Sequence, residues 1–94
     1  MIDTTDATYL RHKAELCGVP EHLIDLLLRY IINRIDPGSC LTAVLENDLM
    51  EAFGRADIKT AMGMRHICEF IYNYTPNVCH GSPERVKAWL AGLS

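Results

Sequence analysis

The chain has 94 residues, and nine Lys and Arg against twelve Asp and Glu leave a net charge of −3. That balance excludes the basic stripe with which proteins grip long duplex nucleic acid, but not a small anion held by a few local groups. Apolar residues make up 49% of the sequence, enough for one small domain, 1–94, with a real core.

No strict two-residue alternation is sustained, so the chain reads as all-α, a compact bundle of about five helices. The first spans about 4–16, with Ala7, Leu10, Ala14 and Cys17 on one face and Gly18 in the position that favours a left-handed stop. Pro20 opens the second, about 20–35, at the first helical position, where a missing N–H does no harm. Leu23, Ile24, Leu26, Leu27, Leu28, Tyr30, Ile31, Ile32 and Ile35 are too many for one stripe on that helix. A subunit interface explains the excess, and a homo-oligomer assembled through this helix is expected. The alternative is a central helix wrapped by the other four.

Pro37-Gly38 breaks the second helix, and Ser39 reads as the N-cap of a third, 40–53, whose core face is Leu41, Val44, Leu45, Leu49, Ala52 and Phe53. Gly54 ends it. Asp57 caps a fourth helix, 58–74, with Ile58, Ala61, Met64, Ile67, Cys68 and Ile71 inward, and Pro76 stops it. Ser82-Pro83-Glu84 then reads as an N-cap followed by proline, opening a last helix to about residue 93 anchored by Val86, Trp89, Leu90 and Leu93.

Nothing approaches the ~20 apolar residues of a membrane span, so no membrane partner is expected. Met1-Ile2-Asp3 leads into a polar helix start without the charged and apolar regions of a signal peptide. Cys17, Cys40, Cys68 and Cys79 are therefore read as small thiols of a reduced cytoplasmic protein rather than as a disulfide framework.

No Walker loop, G-x-S-x-G or H-E-x-x-H occurs, and no base is nominated beside any cysteine, so no catalytic residue is assigned. His66 and Cys68 point about 200° apart on a helix and cannot easily share a metal ion. No metal site and no cofactor are expected. A DNA-reading helix after the Asp36-Pro37-Gly38-Ser39 turn is disfavoured, because Glu46, Asp48 and Glu51 would meet phosphate repulsion.

Two constellations remain. Tyr9, His12 and Lys13 share a face of helix one opposite Ala7 and Leu10, and a ring beside an ammonium is what stacks a base and pairs its phosphate. The alternative is an ordinary exposed polar face. The second is the turn itself, where Ser39 as N-cap would leave N–H groups at Cys40, Leu41 and Thr42 for an anion, with Gly38 allowing close approach. Arg34 or Arg55 would supply charge, since no Lys or Arg lies between them. An ordinary capped corner is the alternative there.

PGSCLTAVLENDLMEAFGRAD at 37–57 and CHGSPERVKAWL at 79–90 resemble a small helical family encoded widely by bacteriophages. Its pattern joins an apolar R-Y-I helix, a P-G-S turn, L-x-A-V-L-x-N-D-L, A-F-x-R-A-D and a late G-S-P-x-x-V-x-x-W, and it covers residues 20–91. The family is similar to phage anti-CBASS cyclic-oligonucleotide sponges. The resemblance implies a hexamer that sequesters cyclic di- and trinucleotides in the cytoplasm of the infected host without cleaving them. It also implies that Tyr9 stacks a base and Lys13 meets a phosphate. Pro37, Gly38, Ser39, Thr42, Asn47 and Arg55 match its motifs and join Arg34 as candidate ligand-binding residues. Where the family commonly has Phe after P-G-S this chain has Cys40, so no ring stacks from that position. The rival expectation is a small acidic protein–protein inhibitor or adaptor that acts on a host protein, mimicking nucleic-acid charge with Glu46, Asp48 and Glu51.

Overall fold

A computed structural model describes residues 6–93, and the polar start at 1–3 and the first expected helical residues lie outside that range. The described residues form seven α-helices and one 3-10 turn, with no strand among them. They are α1 (Ala7–Cys17), α2 (Glu21–Asn33), α3 (Ser39–Leu45), α4 (Leu49–Arg55), α5 (Ile58–Met62), α6 (Met64–Tyr74) and α7 (Pro83–Leu90), with the 3-10 turn at Asn77–Cys79 between α6 and α7. The all-helical expectation holds, and the helices are shorter and more numerous than the apolar pattern implied.

The expected third helix is two. After Leu45 the Asn47 N–H donates to the Val44 carbonyl and the Asp48 N–H to that of Ala43. Asn47 itself is left-handed, with φ 67°. That paired closure ends a helix by satisfying its last carbonyls. Asp48 then caps α4 by accepting the Glu51 N–H at 3.3 Å. The break turns Leu49 and Phe53 outward, so of the expected core face only Leu41, Val44, Leu45 and Ala52 are buried. Gly54 lies within α4 rather than ending it.

The expected fourth helix also divides, at Gly63, which closes α5 and opens α6. A Cβ there would lie 2.5 Å from the Pro20 Cγ, so only glycine lets the start of α2 come this close. Asp57 caps α5 as expected, accepting the Thr60 N–H at 2.7 Å. Ile58, read as inward, is exposed, whereas Met64, Ile67 and Ile71 are buried.

Smaller corrections come at the ends. Pro20 is the cap of α2 and not its first helical residue, and α2 stops at Asn33, short of Ile35. Ser39 is the first residue of α3, because the cap position belongs to Gly38 at φ 98°. The last helix ends at Leu90, and Leu93 is exposed. Gly18 and Ser82-Pro83 take the expected stop and start positions.

Helix α2 is the axle of the fold. Leu23, Ile24, Leu27, Leu28, Tyr30 and Ile31 are all buried within this one chain. Leu26 and Ile32 pack partly against the same core, and only Ile35 stands largely outside. The apolar excess is thus covered by α2's own neighbours, and the central-helix alternative describes its environment. Arg11 of α1 pairs with Asp25 across the α1–α2 seam. The Gly81 N–H donates to the Leu45 carbonyl at 2.7 Å, fixing the loop before α7 to the end of α3.

Candidate ligand-binding site

Tyr9 and Lys13 lie one turn apart on α1, which packs against α6. The Lys13 ammonium sits 5.6 Å from the Tyr9 ring centroid and 5.3 Å from that of Tyr74, the last residue of α6. A cation within ~6 Å of a ring is attracted to its π face. The ammonium is thus within reach of both rings. Both tyrosines pack partly against the core, so Tyr9 is a half-buried residue and not part of a fully solvated face. His12 belongs elsewhere, in a shallow groove with Ala7, Thr8, Arg11 and Glu15. Tyr74 was not legible from local spacing, because it joins Tyr9 only through the packing of α6 on α1.

The second place is a cavity of about 290 Å³, open to solvent, at the corner between α2 and α3. Pro37, Gly38 and Ser39 form one side, Leu23 and Leu26 of α2 another, and Arg55, Asp57 and Thr60 a third, with His22 on its wall. Four residues singled out in the sequence, Pro37, Gly38, Ser39 and Arg55, are thus brought together. His22, Asp57 and Thr60 join them as lining residues that the sequence reading had not assigned to a ligand.

The backbone donors of the corner are partly engaged. Asp36 Oδ1 accepts the Gly38 N–H at 2.8 Å and lies 3.5 Å from the Thr42 hydroxyl. The Thr42 N–H, expected to await an anion, donates to the Gly38 carbonyl. The charge of this cavity therefore comes from side chains. Arg55 Nε donates to Glu51 Oε1 at 2.9 Å. His22 Nε2 lies 3.4 Å from the Thr60 hydroxyl and 4.0 Å from Asp57 Oδ2. Thr60, first through its backbone N–H and then through its hydroxyl, holds the Asp57 carboxyl below the usual carboxylate range. Cys40 points its thiol at the Ala52 carbonyl, 3.3 Å away. Burial first, and then the Asp57 charge, push that thiol's pKa up, which favours the thiol over the thiolate.

Arg34 and Asn47 lie outside both places. The Arg34 guanidinium stacks 3.8 Å from the Trp89 ring centroid and donates to the Trp89 carbonyl at 3.1 Å. Asn47 lines a separate, mainly apolar cavity with Leu49, Cys68, Tyr72 and His80. Burial lowers the His80 pKa, with the Arg85 charge adding to it. The His80 Nε2 atom is fully buried and has no hydrogen-bond partner.

Compared with protein-family profiles, curated proteins and solved structures, the chain matches none.

Proposed function

We propose that this chain is a phage anti-defence protein that binds cyclic di- and trinucleotide messengers and withholds them, uncleaved, from their effectors. In this reading it works as a homo-oligomer in the cytoplasm of the infected host. The observation that carries it is the Lys13 ammonium placed over both the Tyr9 and the Tyr74 rings. Such a site offers π faces to a base and a positive charge to the phosphodiester beside it. Stacking contributes ~1–3 kcal/mol per base and a charge-assisted hydrogen bond ~1.5–3 kcal/mol. Two of each give roughly 5–12 kcal/mol before ordering costs, which is enough for capture without chemistry. The corner cavity with Arg55 and His22 is the second place for a phosphate.

Because α2 is covered within the chain, copies meet on α4 and α5 in this reading. Met50 is 87% exposed, Met62 80% and Ile58 79%, with Phe53 exposed beside Met50 on α4. The same residues favour the rival reading, a protein inhibitor or adaptor that seats this surface on a host protein. Native mass spectrometry of the purified protein with a mixture of cyclic di- and trinucleotides separates the two. The sponge reading expects a defined oligomer, a hexamer by the family resemblance, that gains whole-number ligand masses and releases them unchanged. A monomer that gains nothing would overturn it and favour a protein partner.

A further inference from the structure

We infer that the corner cavity selects a guanine nucleotide, with Asp57 accepting from the Watson–Crick edge of the base and Arg55 meeting its phosphate. The inference rests on the sponge reading and names the base that reading leaves open. The space, about 290 Å³ and open to solvent, lies just below the ~300–1,000 Å³ typical of small-molecule sites, and it has room for one nucleotide unit rather than two. Leu23, Leu26 and Pro37 give it an apolar wall for the base.

Asp57 supplies the selection. Its Oδ1 is fixed by the Thr60 N–H at 2.7 Å, so the carboxylate is held in place. Its Oδ2 is 4.0 Å from His22 Nε2, beyond hydrogen-bond length, and the side chain is 67% exposed. An ionised carboxylate can only accept. Guanine presents two adjacent donors, N1–H and the exocyclic amino group. Adenine and cytosine each place a ring-nitrogen lone pair beside their amino group, which would face the carboxylate's negative charge. Uracil has a single N–H flanked by two carbonyl oxygens. Only guanine offers that edge two donors side by side, one for each carboxylate oxygen. For the phosphate, the Arg55 side chain is 45% exposed, and Glu51 takes only its Nε donor. Its guanidinium has further N–H donors for a phosphate oxygen.

The test is titration of the isotope-labelled full chain with guanosine monophosphate, adenosine monophosphate, cyclic di-GMP and cyclic di-AMP, followed by amide NMR shifts. The Asp57→Asn variant is run in parallel. Asparagine caps a helix as well as aspartate does, so α5 is kept. Its carboxamide offers one donor and one acceptor, which suits adenine. The expected result is shifts at Gly38, Asp57 and Thr60, with guanine ligands at least about tenfold tighter than adenine ligands. Asp57→Asn should abolish or reverse that preference. Equal affinities that Asp57→Asn leaves unchanged, or tight cyclic ligands that shift no cavity amide, overturn the inference and leave the sponge reading standing. Cavity shifts in which cyclic di-GMP binds no better than the mononucleotide support the guanine site and overturn the sponge. No shift with any of the four overturns the inference, and no shift with an added cyclic trinucleotide overturns the sponge reading as well.

Discussion

The indole Nε1 of Trp89 donates to the main-chain carbonyl of Tyr30 at 2.9 Å, joining the last helix to the axle of the fold. The Tyr30 hydroxyl in turn donates to the Cys79 carbonyl at 2.6 Å, which anchors the 3-10 turn. With Arg34 stacked on the Trp89 ring, α2, the turn and α7 are locked by residues 49 to 59 positions apart. Both Tyr30 and Trp89 are buried, so these polar groups cannot turn to water instead.

Tyr30→Phe keeps the ring and removes only the hydroxyl that the Cys79 carbonyl accepts from. Leaving a buried carbonyl without its donor costs about 1–3 kcal/mol. A urea unfolding curve should therefore show a lower midpoint with an unchanged slope. An unchanged midpoint would mean that the hydroxyl is not holding the turn.

Gly63→Ala would place a methyl 2.5 Å from Pro20 Cγ and 2.9 Å from its Cδ, and a proline ring has little freedom to move aside. Overpacking of this kind costs about 1–3 kcal/mol. Gly54→Ala is the control. Nothing lies within 4 Å of its added methyl, and it sits inside α4. Replacing this glycine in the last turn of α4 should stabilise by up to about 0.5 kcal/mol, the low end of the helix-interior value. Thermal melts that move the same way for both variants would contradict the close approach of α2 to the α5–α6 junction.

These two glycines show how far the sequence could be read. The caps at Asp57 and Ser82 and the stop at Gly18 were legible, because each is a local matter of one side chain or one φ angle. The break at residues 46–48 had a signal that the apolar spacing masked. Asn47 suits a left-handed stop, and Asp48 with Glu51 three residues on is a capping pair. Apolar spacing alone runs one helix through them and turns Leu49 and Phe53 inward. The covering of α2 was not legible, since it depends on helices distant in sequence folding around it. The same holds for the candidate site. Pro37, Gly38, Ser39 and Arg55 were found from motif and charge, but His22 and Tyr74 reach their places only through tertiary packing.

Stability should fall at both ends of the pH scale, for different groups. Cys79 is wholly buried, and burial pushes its thiol from 9.0 to about 11. The fold thus favours the protonated thiol. Its contribution is complete below pH 9.0 and is lost as pH rises through about 11, at a slope of up to about 1.4 kcal/mol per pH unit. Burial also raises Tyr30, which extends the loss in the same direction. His80 behaves oppositely. Its folded pKa lies below 6.5, so its contribution is present above 6.5 and is lost as pH falls through the folded value. Urea midpoints measured across this range should show a plateau between the two losses. Cys79→Ala should flatten the first part of the alkaline limb, and an unchanged limb would remove Cys79 as its cause.

Arg34 and Lys13 are both cations over aromatic rings, and they should separate cleanly in experiment. Arg34 spans the α2–α7 seam at φ 58°, a left-handed position that asparagine tolerates. Arg34→Asn therefore removes the stacking and the bond to the Trp89 carbonyl without adding backbone strain. The loss should be about 2 kcal/mol of stability, and in the proposed sponge reading cyclic-dinucleotide affinity is unchanged. Lys13 holds together only half-buried rings at the edge of the core. In the proposed sponge reading, Tyr9→Ala with Lys13→Ala weakens cyclic-dinucleotide binding by about a hundredfold, from one stacked base and one charged contact. Calorimetric titration of both variants, each checked for folding by circular dichroism, decides the assignment. Full affinity in the Tyr9, Lys13 double variant would move the dinucleotide site off α1. Lost affinity in folded Arg34→Asn would give that arginine the ligand role its place beside Trp89 argues against.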